Sequence, residues 1–176
     1  MNRPTSLLVT AALMGAVMPP AAWGDPTAEA RFIAPDQSPI GTAGVVDTPS
    51  GVRIRVRLSG LTPGWHAIHI HETGRCDTPD FTDAGAHLGH DQSAHGHVVA
   101  TGPHMGDLPN IFAAADGVSE AELFSERLTL DPSRVSATRG LASGKAIIVH
   151  AGSDDDMTQP SGGAGARVAC ALIPGR

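Results

Sequence analysis

Eight of the chain's nine histidines fall between His66 and His104, and no other feature restricts the possible folds as much. Within that stretch His66-Ala67-Ile68-His69-Ile70-His71 alternates. On a β-strand a period of two puts His69 and His71 on one face and Ile68 and Ile70 on the other. The two histidine Cα atoms would then lie roughly 6–7 Å apart, a span that two ring nitrogens with bonds of about 2.0 Å can close onto one metal ion.

Downstream, His87, His95, His104 and Asp107 arrive in a run broken by Gly85, Gly89, Gly96, Gly102, Pro103 and Gly106, which reads as a long ligand-rich loop. Imidazole suits zinc and copper, and three imidazoles with one carboxylate make a closed tetrahedral set that favours zinc. A single loop histidine is ordinarily solvated, and a generic His-rich tract binds metals loosely. Six candidates at mixed spacings flanking a strand point instead to a built site.

The rest of the chain alternates and turns. In Gly51 to Leu58, Val52, Ile54, Val56 and Leu58 share one face and Arg53, Arg55 and Arg57 the other, so one side is core and the other a solvated face. Further strands are expected at Glu29 to Ile33, Gly41 to Val46, Ile111 to Ala115, Ala121 to Phe124, Ala146 to Val149 and Arg167 to Ile173, with a hairpin turn at Asp116-Gly117. No window has a long helical period; Val135 to Leu141 suits one short helical turn. With 21 Gly, 14 Pro and only 17% charged residues, the composition is that of an all-β globular domain.

Residues 1–24 combine Arg3, an apolar run from Leu7 to Met18 and the small-residue site Ala22-Trp23-Gly24, the pattern of a secretory signal peptide. That run is too short for a bilayer span of about 20 residues, so no membrane association is expected after its removal. Residues 25–176 then form one domain. Without Arg3, 11 basic residues face 18 acidic ones, a net charge of −7, which excludes general attraction to nucleic acid or anionic membranes. Cys76 and Cys170 are the only cysteines, and in an oxidising compartment they should pair rather than remain buried thiols.

Two late segments add to the picture. The buried-strand run Ala146 to Val149 ends on His150, a further candidate ligand, and Asp154-Asp155-Asp156 follows. An acidic turn is normally solvated, but one carboxylate here would suit orienting ligand imidazoles from behind.

Taken together, the chain resembles the copper-zinc superoxide dismutases, in particular the secreted bacterial form, over residues 27 to 173. The resemblance rests on Gly64-Trp65-His66-Ala67-Ile68-His69-Ile70-His71-Glu72, Gly74-Arg75-Cys76-Asp77, Ala84-Gly85-Ala86-His87, His95-Gly96, His104-Met105-Gly106-Asp107-Leu108-Pro109-Asn110, Val149-His150-Ala151-Gly152 and Gly165-Ala166-Arg167-Val168-Ala169-Cys170. It implies an eight-stranded flattened Greek-key barrel with long metal-binding and electrostatic loops. It implies copper on His69, His71, His87 and His150, and zinc on His87, His95, His104 and Asp107. His87 would bridge the two metals, Asp154 would bond histidines of both sites, and Arg167 would guide the superoxide anion. Cys76 and Cys170 match the family's disulfide, and His66 is expected to be structural. The implied reaction is superoxide disproportionation by copper redox cycling, in the bacterial periplasm, with room for a homodimer.

The chain departs from the family pattern where relatives carry an aromatic followed by Asn-Pro and this sequence has Leu88-Gly89-His90. His95-Gly96-His97-Val98 lacks the usual nearby proline, and Gly163 stands where asparagine is common. These changes fall in the expected zinc and electrostatic loops. His90 and His97 are expected to be solvated rather than accessory ligands. The rival reading is a secreted copper or zinc buffering protein without turnover. Arg167 argues against it, because storing a cation gains nothing from a guanidinium beside the metal. A zinc hydrolase would need an open-site motif such as His-Glu-x-x-His, which is absent from the sequence.

Overall fold

The computed structural model describes residues 26–134 and 140–175; the expected signal peptide lies outside them, as does most of the expected helical turn at Val135 to Leu141. The strands are β1 (Ala28–Ile33), β2 (Pro39–Thr48), β3 (Gly51–Leu58), β4 (Gly64–His66), β5 (Ile68–His71), β6 (Ile111–Ala113), β7 (Ser119–Ser125), β8 (Lys145–His150) and β9 (Arg167–Ile173). All sheet pairs are antiparallel. A seven-stranded sheet runs β5-β8-β9-β1-β2-β3-β7, and β4 pairs with β6 in a two-stranded ribbon.

Ala67 explains the count. It divides one physical strand into β4 and β5, because its N–H donates to Gly152 O and its carbonyl accepts His150 N–H. Joining the two halves gives eight strands. One half pairs with β8 and the other with β6, which lies against β7 at the far end of the large sheet. The ring therefore curls round on itself as a flattened barrel, and β3 must cross over to reach a strand that is not its neighbour.

Periodicity decides which residues fill the ring. Along β3, Val52, Ile54, Val56 and Leu58 are buried while Arg55 and Arg57 are exposed, and Arg57 pairs with Glu120 on β7 at 3.0 Å. Ile68 and Ile70 of β5 and Ile147 and Val149 of β8 point into the main core. Ala146 and Ile148 point outward, into a second cluster with Phe81, Ala84 and Cys170. The outer face of β5 and β8 is thus covered by loops, and on it stand His69, His71 and His150, all buried.

Between β1 and β9 the two ends of the domain meet, Phe32 opposite Ala171 and Ile33 opposite Cys170. Beside this seam Cys170 is disulfide-bonded to Cys76, 94 positions away, with Cα atoms 5.7 Å apart. That bond fastens the segment after β5 across the outer face of β9.

Candidate metal centre

The edge of β5 opposite β8 accepts the long loop. Leu88 N–H donates to Ile70 O and Ile70 N–H to Gly106 O, both at 2.8 Å. These bonds set His87 beside His71 and Asp107 beside His69, as isolated antiparallel bridges. Gly106 has to be glycine, since a Cβ would lie 2.1 Å from Ile70 O.

Two clusters result. His69, His71, His87 and His150 can each offer a ligand atom within 4.8 Å of the others, and so can His87, His95, His104 and Asp107. His87 belongs to both. In the first cluster the outward-facing nitrogens are all engaged: His71 Nδ1 donates to Gly85 O at 2.9 Å, His150 Nδ1 to Gly165 O at 3.0 Å, and His69 Nε2 to Asp154 Oδ2 at 2.8 Å. A carbonyl or carboxylate can only accept, so these bonds fix the tautomers and leave a lone pair on each opposite nitrogen. Those nitrogens, His69 Nδ1, His71 Nε2 and His150 Nε2, are buried and have no hydrogen-bond partner among the described residues, and the same holds for His87 Nε2. Four unsatisfied buried lone pairs are costly in a protein interior and suit a cation.

In the second cluster His87 Nδ1 lies 2.9 Å and His104 Nδ1 3.4 Å from Asp107 Oδ1, and His95 Nδ1 lies 3.1 Å from Asp107 Oδ2. Ligands with bonds of about 2.0 Å at tetrahedral angles stand about 3.3 Å from one another. The spacing therefore fits a small tetrahedral cation. Asp107 Oδ2 also accepts N–H groups from Gly96 at 3.0 Å and His104 at 2.9 Å.

At His69, His71, His104 and His150 burial favours the uncharged imidazole that metal ligation requires. It pushes His69 down to about 4 and His150 to about 3, holds His71 well below its ordinary 6.5, and lowers His104. Burial would raise Asp107 and Asp154. Hydrogen bonds from His87 and Gly96 to the first, and from His69 and His95 to the second, outweigh it and hold both below the usual carboxylate range. Asp154 joins the clusters, bonding His69 Nε2 through one oxygen and His95 Nε2 through the other at 2.9 Å.

Arg167, half-buried and opposite His150 in the β8–β9 register, donates to Phe81 O at 2.5 Å and Gly85 O at 2.7 Å. The Gly85 carbonyl thus holds both the guanidinium and His71. Phe81 and Gly85 lie in the segment that Cys76 pins to β9, so the disulfide supports the arginine's position.

Comparison with known proteins agrees with this geometry. The family model described as copper/zinc superoxide dismutase matches residues 40–173. A superoxide dismutase [Cu-Zn] of Caulobacter vibrioides is 48% identical over 149 residues, 84% of this chain and 85% of that one. Among solved structures, a double mutant of a SOD-like protein from Bacillus subtilis superposes with a TM-score of 0.78 at 30% identity, over 84% of this chain and 97% of that chain. The Cu/Zn superoxide dismutase from Brucella abortus does so with 0.64 at 30%, over 82% and 97%. The chain belongs to the copper/zinc superoxide dismutase family.

The side chains of Leu88, His90 and His97 lie outside both clusters. Leu88 is buried in the main core. His90 and His97 have side chains 44% and 43% exposed, beside Glu72 at 3.3 Å and Asp156 at 2.9 Å. His66 is buried behind β5, its ring nitrogens 2.7 Å from the carbonyl oxygens of His150 and Thr62. Sequence reasoning gave no role to Asn110 or Gln159. Asn110 exchanges two hydrogen bonds with the backbone of Asp154, both at 2.8 Å. An amide that pairs with a distant backbone has no signature in spacing or periodicity.

Proposed function

We propose that the four-imidazole cluster holds copper and the three-imidazole, one-carboxylate cluster holds zinc, with His87 shared, and that this centre disproportionates superoxide in the periplasm. The chain is a superoxide dismutase of the copper/zinc type: two superoxide anions and two protons give dioxygen and hydrogen peroxide. The observation that carries the ligand reading is His87, whose Nε2 is unpartnered in the first cluster while Nδ1 lies 2.9 Å from Asp107 in the second.

Bound copper supplies the one-electron exchange that both half-reactions need, which zinc cannot. The protein supplies position, charge and protons. His87 is the proton carrier: with Nδ1 held beside Asp107, Nε2 takes up a proton in one half-reaction and gives it to the reduced substrate in the other. Arg167 stays charged at any working pH and has further N–H groups to offer an anion. Asp154 keeps the His69 and His95 rings oriented, and residues behind metal ligands commonly tune affinity in this way. The signal-like residues 1–24 and a disulfide, stable in oxidising compartments, support export.

Metal analysis of the purified mature protein together with direct superoxide-decay kinetics on the same sample tests the whole reading. One copper and one zinc per chain with rapid decay is expected. Metal without turnover would overturn it in favour of a buffering protein.

A further inference from the structure

The loop that carries Asp154 also grips the loop that carries His95, and it does so through one exposed side chain. Gln159 Oε1 accepts His95 N–H at 2.8 Å, and Gln159 Nε2 donates to His95 O at 2.9 Å. The amide pairs with both backbone groups of a single residue, as a neighbouring β-strand would. Among the described residues His95 N–H and C=O have no other hydrogen-bond partner. A third bond, from Nε2 to Met157 O at 3.0 Å, fixes the amide on its own loop. The flanking residues run close by. His97 N–H donates to Asp156 Oδ1 at 3.2 Å, and a Cβ on Gly96 would lie 1.9 Å from Asp156 O.

Two reciprocal bonds constrain both the place and the orientation of the His95 peptide groups, where a single bond would leave rotation about it. His95 needs such a hold. It stands on no strand. The ring is fixed separately by Asp154 at Nε2, so the imidazole is held at both ends with Nδ1 turned toward Asp107.

We propose that Gln159 is a positioning residue of the second cluster: by clamping the His95 backbone it sets zinc affinity without touching the metal. This rests on the ligand assignment proposed above. Titration of metal-free wild type, Gln159→Ala and Gln159→Glu with zinc against a competing chelator, and separately with copper, tests it. The alanine variant should bind zinc about ten- to a hundredfold more weakly, the usual cost of losing a residue that supports a ligand, with copper binding unchanged. The glutamate variant keeps an acceptor for His95 N–H but sets an oxygen against His95 O, so it should weaken zinc at least as much. Cobalt(II) in the zinc position should show an altered visible spectrum in both variants. Unchanged zinc affinity, or zinc and copper binding falling together with metal-free stability, would overturn the inference. A wild-type protein that takes up no zinc would overturn the ligand assignment, and this inference with it.

Discussion

The two halves of the centre are built from different material. Three histidines of the four-imidazole cluster stand on β5 and β8, whose backbones pair in register, Ile68 with Val149 and His71 with Ala146. Apart from the shared His87, the other cluster takes its ligands from a loop, and those ligands are held by side chains: Asp154 on His95, Gln159 on the His95 backbone, Asp107 on Gly96 and His104. A strand-borne site inherits its geometry from a cooperative ladder, whereas a loop-borne site depends on a few individual bonds. The first should therefore tolerate single substitutions around it better than the second.

The largest effect should come from His87, where the halves meet. His87→Ala is expected to disturb the copper spectrum and weaken zinc together, and to lower the rate by about 10²–10⁴-fold, the usual worth of a positioned proton carrier. If only one metal responds, the halves do not share this residue. Next is the double replacement Cys76→Ser with Cys170→Ser. On a chain-entropy account, opening so long a loop costs about 4–5 kcal/mol of stability, measurable by denaturant unfolding. Because the disulfide fastens the segment that supports Arg167, the rate should fall while zinc affinity stays, and a loss of zinc first would reverse the comparison.

Arg167→Ala removes charge and hydrogen-bond donors from beside the strand-borne half. A hydrogen bond to a charged group is worth about 1.5–3 kcal/mol, so the second-order rate should drop on the order of tenfold or more. The drop should be largest at low ionic strength, because salt already screens long-range attraction. Superoxide decay measured across a salt series checks this, and equal rates throughout would leave Arg167 without a guiding role.

Mild acid is the gentlest perturbation. His69 and His150 are pushed down to about 4 and about 3, whereas in the unfolded chain a histidine titrates near 6.5. Between those values the unfolded state binds more protons, so stability rises with pH and is lost as pH falls. Metal-free protein should lose little above about pH 6.5 and progressively more toward about pH 4. The depressed Asp107 and Asp154 add their losses only below the ordinary carboxylate value of 3.8. Unfolding followed at several pH values, with a midpoint flat from 7 to 4, would contradict this.

How much was legible follows the same division. The alternation in β3 and in His69-Ile70-His71 was readable because a strand repeats every two residues and one side is buried. The break at Ala67 was not, since it comes from carbonyl and N–H partners more than eighty residues downstream. In the loop half, the spacings between His87, His95, His104 and Asp107 match no regular element; their residue types and the glycines between them mark a ligand-rich loop, and the division of the ligands between two metals comes only from resemblance to a family. Asn110 and Gln159 stayed invisible because their work is done by amides meeting distant backbone. His90 and His97, expected to be solvated, have partly exposed rings, each beside a carboxylate.

The pairing of β1 with β9 has a kinetic consequence. Phe32 meets Ala171 only after nearly the whole domain has been made, and the strands that bear His69 and His150 also join across a long separation. Contacts so remote in sequence delay folding, and all-β domains of this kind form on the order of milliseconds to seconds. A chain that crosses a membrane unfolded would thus arrive without a metal site and acquire one late. Uptake of copper would then mark the completion of folding rather than begin it.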